Sequence, residues 1–360
     1  PEGLAWQGNQ SLSRYRFQHH LFQQYLYNHL DAVERARLHA AVLAALEALH
    51  GAQTDALAGA LARHAEAAGL TKRAAQLWLQ AGRYAHTLSA HDEATAFFRR
   101  SLVALSALPN SPEHAQVELE TQIALATTLF VSQGWGAPER IEAADRAYCL
   151  SLQLGGTGHR LPLLVMLANT SLGRLECRRA LAFAEQLLAL AQESGQTLYI
   201  AAGHLMMGMC LISLGEPRAA CARLEHGLAV LQGQPALSLA ESPSMGTDTR
   251  VSLRLWLSCA LWLSGYFDQS REHLRQALQS SEELGHSPTL AVALAMNCTV
   301  VGGMCGEIEA AREYSRRLLH LTDASKLPFV RPWGLFYQSW AQAMSGQSVE
   351  AASRMSDILD

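Results

Sequence analysis

LWLSCALWLSGYFDQSREHLRQALQSSEELGHSPTLAVAL, residues 255–294, is the stretch whose reading decides the fold. Apolar residues recur in it at helical spacing, and the break at Gly265 is too short to be anything but the turn of a helix hairpin. Five positions after that turn stands a small residue, Ser270, and seven further on another, Ala277. Residues seven apart lie on one helix face, so small side chains there let the second helix of a hairpin approach its neighbour closely.

The same register recurs along the chain. Gly215, Ala220 and Gly227 form one instance, and Gly69, Ala74 and Ala81 another. Gly306 with Ala311 and Gly346 with Ala351 keep the first step and place Leu318 and Ile358 last. The turns at 265, 306 and 346 are spaced by about forty residues, the period of a helix-pair repeat. The step from 215 to 265 is longer because QGQPALSLAESPSMGTDT, residues 232–249, reads as a long Gly-, Pro- and Ser-rich loop.

From Gln18 onward almost every segment carries helical spacing, and β-branched clusters bounded by turns are missing. Helix entries are marked by a capping box at Asp31 and Glu34 and by Ser111-Pro112-Glu113. Pro138 and Pro217 repeat the first-turn proline. These place starts near 31, 111, 138 and 216.

Composition narrows the function classes. With 49% apolar and 17% charged residues in 360, the chain can bury a large core. A net charge of -4 and a pI near 6.5 lack the basic surplus of a nucleic-acid binder. Seven cysteines without a C-x-x-C pair sit inside apolar helical runs, which reads as reduced core cysteine in a cytoplasmic protein. No apolar run is read as reaching the roughly 18 to 20 residues of a membrane span. The opening PEGLAWQGNQSLSRYRF reads as the middle of a domain, so the chain is expected to be part of something longer.

WGAPERIEAADRAYCL (135–150), the stretch at 255–294 and GEIEAAREYSRRLLHL (306–321) resemble the tetratricopeptide (TPR)-type arrays that follow a STAND signalling ATPase domain in bacterial regulators, especially those fused to adenylate or guanylate cyclase domains. The resemblance covers roughly residues 10–350. YRFQHHLFQQYLYNHLDAVERARLHAAVLAALE (15–47) is similar to the end of the winged-helix subdomain closing such an ATPase. The family pattern is met by Phe17, His19, Leu21 and Tyr27 and departed from at Gln24, where glutamate is usual. The resemblance implies that His19 touches the phosphate of bound ADP. The alternative is an ordinary polar residue at a strand-to-helix junction. The chain lacks G-x-x-x-x-G-K-[ST], so it carries no cofactor site of its own, and ATP or ADP would belong to the full-length protein.

Fifteen histidines come without H-E-x-x-H, paired Cys and His spacing or a carboxylate cluster, and no metal site is expected. There is no G-x-S-x-G and no D-D-x-x-D motif, which removes the hydrolase elbow and the helical terpene cyclase. Gly155-Gly156-Thr157-Gly158 reads as an interhelix link. Trp256, Trp262, Tyr266 and Phe267, and then Phe329, Trp333, Phe336, Tyr337 and Trp340, read first as hairpin core. Repeat arrays bind extended partners on the face built by the first helices of their pairs, and Arg250, Arg254, Arg331 and Trp333 are the candidate contacts there.

The expectation is therefore an all-α, TPR-like right-handed superhelix of about seven helix pairs. Residues 1–30 would be a winged-helix remnant, 31–110 linker and first repeat-like helices, and 111–360 the array. Its role would be non-catalytic: to bind a protein or peptide partner, or its own ATPase domain, with self-association open and no direct contact to nucleic acid or membrane. A transcriptional regulator with a DNA-binding output in place of the cyclase is the alternative.

Overall fold

In a computed structural model, residues 3–7, 10–14, 19–51, 54–134, 137–155, 159–233, 247–325, 327, 330–346 and 348–359 are described. The chain divides into two compact units, residues 1–129 and 130–360. The first opens with an antiparallel hairpin of β1 (Gly3–Gln7) and β2 (Gln10–Arg14), with Gly3 opposite Arg14. Then follow α1 (His20–His29), α2 (Ala32–His50), α3 (Ala58–Ala67), α4 (Thr71–Thr87), α5 (His91–Ser106) and the larger part of α6 (Pro112–Gln133). The second holds the end of α6 and then α7 (Pro138–Leu154), α8 (Arg160–Gly173), α9 (Cys177–Glu193), α10 (Thr197–Ser213) and α11 (Pro217–Val230). After these come α12 (Thr249–Leu263), α13 (Phe267–Leu284), α14 (Ser287–Asn297), α15 (Ile308–Ser325), α16 (Arg331–Met344) and α17 (Ser348–Leu359). The chain is an all-α array of TPR-like helix hairpins.

The helix entries follow their local chemistry. Asp31 accepts from the Glu34 amide at 2.8 Å while Glu34 accepts from the Asp31 amide at 3.1 Å, closing the capping box. Ser111 Oγ accepts from the His114 amide at 3.1 Å, and Pro112, Pro138 and Pro217 each occupy the first helical position. Of the loop expected over 232–249, residues 234–246 lie outside the described residues, and Thr249 already opens α12.

The repeat register has a clear structural cause. Gly215 and Gly265 adopt left-handed φ values of 82° and 87°. The residue after each donates its amide to the carbonyl five positions back: Glu216 to Leu211 at 2.8 Å, Tyr266 to Leu261 at 2.9 Å. This six-to-one bond is the Schellman ending of a helix, and it hands the chain to the next helix without a loop. The small residues then sit at the crossing: Ala220, Ser270, Ala277, Ala311 and Ala351 are buried, as are Gly227 and Leu318, while Ile358 is half-buried.

Two instances escape a search for glycine. Ser89 and Leu175 take the same left-handed conformation, at φ 59° and 60°. Each makes the same six-to-one bond through its successor, and each is followed by the same buried pair, Ala94 with Ser101 and Ala180 with Leu187. Leu175 restores the forty-residue phase before Gly215. Gly69 also ends a helix this way, but it lies only one helix before Ser89, so its match to the register is out of phase with the pairs.

In the second unit α8/α9, α10/α11, α12/α13, α14/α15 and α16/α17 are successive hairpins, and each first helix also packs against neighbours in the adjoining pairs. Leu164, Leu187, Leu205, Leu224, Leu253 and Leu257 belong to one buried cluster running from α8 to α12. At 25 cal per Å² of apolar surface removed from water, each fully buried leucine stabilises by roughly 2 kcal/mol. Trp256 is packed between that cluster and the next, and Trp262 packs on the second cluster and meets Phe267 edge-on, so the two tryptophans of the first aromatic group are hairpin core, whereas Tyr266 and Phe267 are exposed at the turn. In the second group Tyr337 sits between Phe336 and Trp340, and Phe329 lies outside the described residues.

The expectation that no run reaches the length of a membrane span is corrected. α14 continues without a break into a π-helix, Cys298–Met304, and the resulting 18 residues are apolar and long enough by composition. Buried residues make up 56% of that run, which packs on α12, α13, α15 and α16 as a core helix does. The π-helix carries Gly302 against α15, where an added Cβ would stand 2.5 Å from the Ala311 Cβ.

Candidate ligand cleft

α12 is held at its start by Asp248, whose carboxylate accepts from the Val251 amide at 2.8 Å and whose own amide donates to Thr289 Oγ1 at 3.1 Å. That fixes the register of two arginines one helical turn apart, Arg250 and Arg254. Arg250 donates to the carbonyl of Leu231 at 3.0 Å, just past the end of α11, where the free carbonyls and the negative end of the helix dipole attract a cation. Arg254 donates to the side-chain carbonyl of Gln276 on α13. Both guanidinium groups are thereby turned toward α11 and α13, the second helices of two adjoining pairs.

Between these three helices lies a cleft of about 470 Å³. Leu228, Leu231 and Leu257 supply its apolar wall, and Glu225, Arg250, Arg254 and His273 its polar groups. Arg254 forms no ion pair among the described residues. Burial, and next the positive charge of Arg250, hold its pKa below the ordinary arginine value, with Glu272 opposing. Burial, and next Arg254, lower the pKa of His273, again against Glu272. Its Nδ1 is buried and without a hydrogen-bond partner among the described residues. Glu272 itself is held down to about 2 by hydrogen bonds from Arg275 and then Gln276. Arg275 grips it through two nitrogens, at 2.9 and 2.6 Å.

Of the sequence candidates, the structure brings together Arg250 and Arg254. Arg331 stands at the start of α16, paired with Asp323 at 3.1 Å, and Trp333 is 46% exposed two residues on; neither lines the cleft. His19 is the exposed residue before α1, makes no capping bond, and has its ring 6.0 Å from that of Phe22. Sequence reasoning missed His273 and Gln276. The signal was available in hairpin symmetry, because Arg254 and Gln276 stand eleven residues on either side of Gly265 and must face each other across the pair.

A second polar cluster lies in the first unit. Tyr27 Oη and His39 Nε2 are 3.0 Å apart, and His39 Nδ1 and His64 Nδ1 2.8 Å apart, linking α1, α2 and α3. Among the described residues no group of three or more His, Cys, Asp or Glu could hold a metal ion.

No protein-family model matches the chain. Over 340 residues it is 24% identical to an uncharacterized protein of Rhizobium meliloti (strain 1021), a match covering 91% of this chain and 32% of that protein. The chain thus spans about a third of the length of this relative. Among solved structures it is similar to the apo form of RapI, with a TM-score of 0.57, 13% identity and 79% and 96% of the two chains covered. A Rap protein complexed with competence and sporulation factor gives a TM-score of 0.55 at 13% identity, covering 94% and 90%. The apo quorum sensor NprR from B. thuringiensis gives 0.56 at 10% identity, covering 94% and 92%. At these identities the likeness is one of fold, and it places the chain among TPR-like helical-repeat structures.

Proposed function

We propose that this chain is a non-catalytic sensing module that binds a peptide or protein segment and relays its occupancy to a nucleotide-dependent switch in the same polypeptide. The observation that carries the binding half is the cleft between α11, α12 and α13, where two arginines face an apolar wall inside a hairpin array. Two solved structures of similar fold support it by their contents: the Rap protein is complexed with competence and sporulation factor, and NprR has been solved in complex with its cognate peptide NprX. The match covers 32% of the relative from Rhizobium meliloti, which leaves that protein room for the further domains that a switch requires.

Coupling follows from mechanics. Each hairpin touches chiefly its neighbours, so a ligand that fixes the angle between two pairs biases any two-state element joined to them. The resemblance at residues 15–47 suggests a STAND ATPase with a cyclase output as that element, with His19 touching nucleotide phosphate. The test uses the full-length protein. Deleting residues 111–360 should change nucleotide turnover, and His19→Ala should speed release of bound ADP. Unchanged turnover on deletion, together with no partner captured by the intact protein, would refute the proposal.

A further inference from the structure

The geometry points to Tyr27, His39 and His64 as a proton-operated latch that ties α1 and the first half of α2 to α3 near neutral pH and lets them go in acid. This adds a second input to the sensing module and does not involve the cleft.

Little else holds this arm. No residue of α1 is buried, and of α2 only Leu43, one turn past His39. Leu43 and Leu46 join the apolar cluster of α3 and α4, and Arg73 of α4 pairs with Glu47, so the second half of α2 is anchored. The first half meets α3 through His39 Nδ1 and His64 Nδ1, 2.8 Å apart. α1 joins this tie through Tyr27 Oη, 3.0 Å from His39 Nε2, with Arg35 5.5 Å over the Tyr27 ring.

Proton counting makes the tie conditional. Two ring nitrogens 2.8 Å apart have room for one proton, the donor ring carrying it on Nδ1 and the acceptor ring carrying its own on Nε2. The Tyr27 hydroxyl suits either arrangement, because it can donate to His39 Nε2 or accept from it. A first added proton goes to the vacant Nε2 of the donor ring and leaves the bond intact. A second has only the shared gap to enter, where two N–H groups and two positive charges then face each other. Histidine is the side chain whose ordinary titration makes this change near neutrality.

The surroundings oppose the second proton. Burial, and next His39 and Arg63, lower the pKa of His64 from its ordinary 6.5. Acids on the neighbouring elements are engaged elsewhere: Asp31 and Glu34 with each other's amides, Glu47 with Arg73, Glu66 of α3 with Arg100 at 3.9 Å, and Asp55 with Gln80. On α1, His29 Nδ1 sits on the Tyr25 carbonyl. The opened arm, with its imidazoles in water, therefore binds more protons than the closed one. The latch is shut above about pH 6.5 and opens as pH falls below it.

Hydrogen exchange of the full chain tests this at about pH 7.5 and about pH 5, expressed as protection relative to an unstructured chain at the same pH. Protection in α1 and the first half of α2 should fall at least tenfold between the two, relative to α9, which carries no histidine. His64→Gln keeps an acceptor for His39 and removes the place of the second proton, so its loss should stay below threefold, and His39→Gln should behave alike. His39→Ala should be weakly protected at both pH values. Circular dichroism checks that each variant keeps its helix content. No loss in the parent beyond that of α9, or a loss as large in folded His64→Gln and His39→Gln as in the parent, would overturn the latch. Either result is independent of whether residues 15–47 join a nucleotide-dependent switch.

Discussion

Leu175 carries the chain from α8 to α9 with φ at 60°, a conformation in which an L-residue brings its Cβ too close to the following carbonyl. The penalty is about 1–2 kcal/mol. Its side chain is 83% exposed, so removing it forfeits almost no burial. Glycine relieves the clash but gains freedom in the unfolded chain, an opposing effect of about 0.5–1 kcal/mol. Leu175→Gly should therefore stabilise the α8/α9 hairpin by about 0.5–1 kcal/mol, with the Leu172 and Ser171 carbonyls keeping their bonds from residues 175 and 176 at 2.9 Å. An array whose repeats contact their neighbours need not unfold in one step, so a single melting temperature is the wrong readout. Amide hydrogen exchange resolved by helix is the right one. A gain near the top of that range slows exchange in α8 and α9 about fivefold, and α16 and α17 should not change. Gly215→Ala, at φ 82°, is the mirror experiment and should speed exchange in α10 and α11. Unchanged or faster exchange in Leu175→Gly would refute the claim that the left-handed turn, whatever residue fills it, sets the repeat.

Gly302→Ala should destabilise the α14/α15 hairpin by about 1–3 kcal/mol, the usual penalty of overpacking, because the new Cβ meets the Ala311 Cβ at 2.5 Å and only backbone can yield; urea denaturation of the second unit measures it. His204 is buried with its pKa pushed down to about 4 from 6.5, first by burial, then by Arg223 and His226. The unfolded chain therefore takes up this proton first as pH falls. The stability it contributes is full above about pH 6.5 and is lost progressively down to about pH 4, by on the order of 3 kcal/mol in all. His204→Leu should flatten that decline in denaturation curves taken across the window, and an unaltered slope would remove His204 as its cause. Burial pushes the Cys210 and Cys298 thiols up to about 12 and Cys259 to about 11, whereas Cys149 is exposed. A thiol reagent at pH 8 should label Cys149 in the native protein and the other three only after denaturation.

What could be read from the sequence was what backbone geometry forces. A two-residue turn leaves one position left-handed, and glycine usually fills it, so Gly215, Gly265, Gly306 and Gly346 were visible. The crossing that follows needs a small residue, so Ala220, Ser270, Ala311 and Ala351 were visible with them. Ser89 and Leu175 were hidden because the conformation is tolerated there at a modest penalty and leaves no compositional mark. The span-length apolar run at 287–304 was missed because its last seven residues form a π-helix, which continues α14 through Gly302 and Gly303 without a break. In the cleft, Arg250 and Arg254 were found as charges on a first helix, yet which way they pointed was beyond reach. That depends on the turn at Gly265 folding α13 back so that Gln276 and His273 meet them.

The same division separates what this chain must be from what it does. Ala220, Ser270 and Ala311 are completely buried because any hairpin array needs small side chains at those crossings, which is why a TPR-like fold persists at 10–13% identity to solved structures. Arg254 and His273 answer no such demand. Burial works against the charge of each, Arg254 meets a neutral amide, and a leucine or glutamine at either place would satisfy the packing more simply. Local preferences and packing agree almost everywhere along the array, and groups that break this agreement without a compensating contact in the chain are where function is expected. By that criterion the wall between α11 and α13, where burial works against the charge of Arg254 and His273, is one junction at which binding is expected.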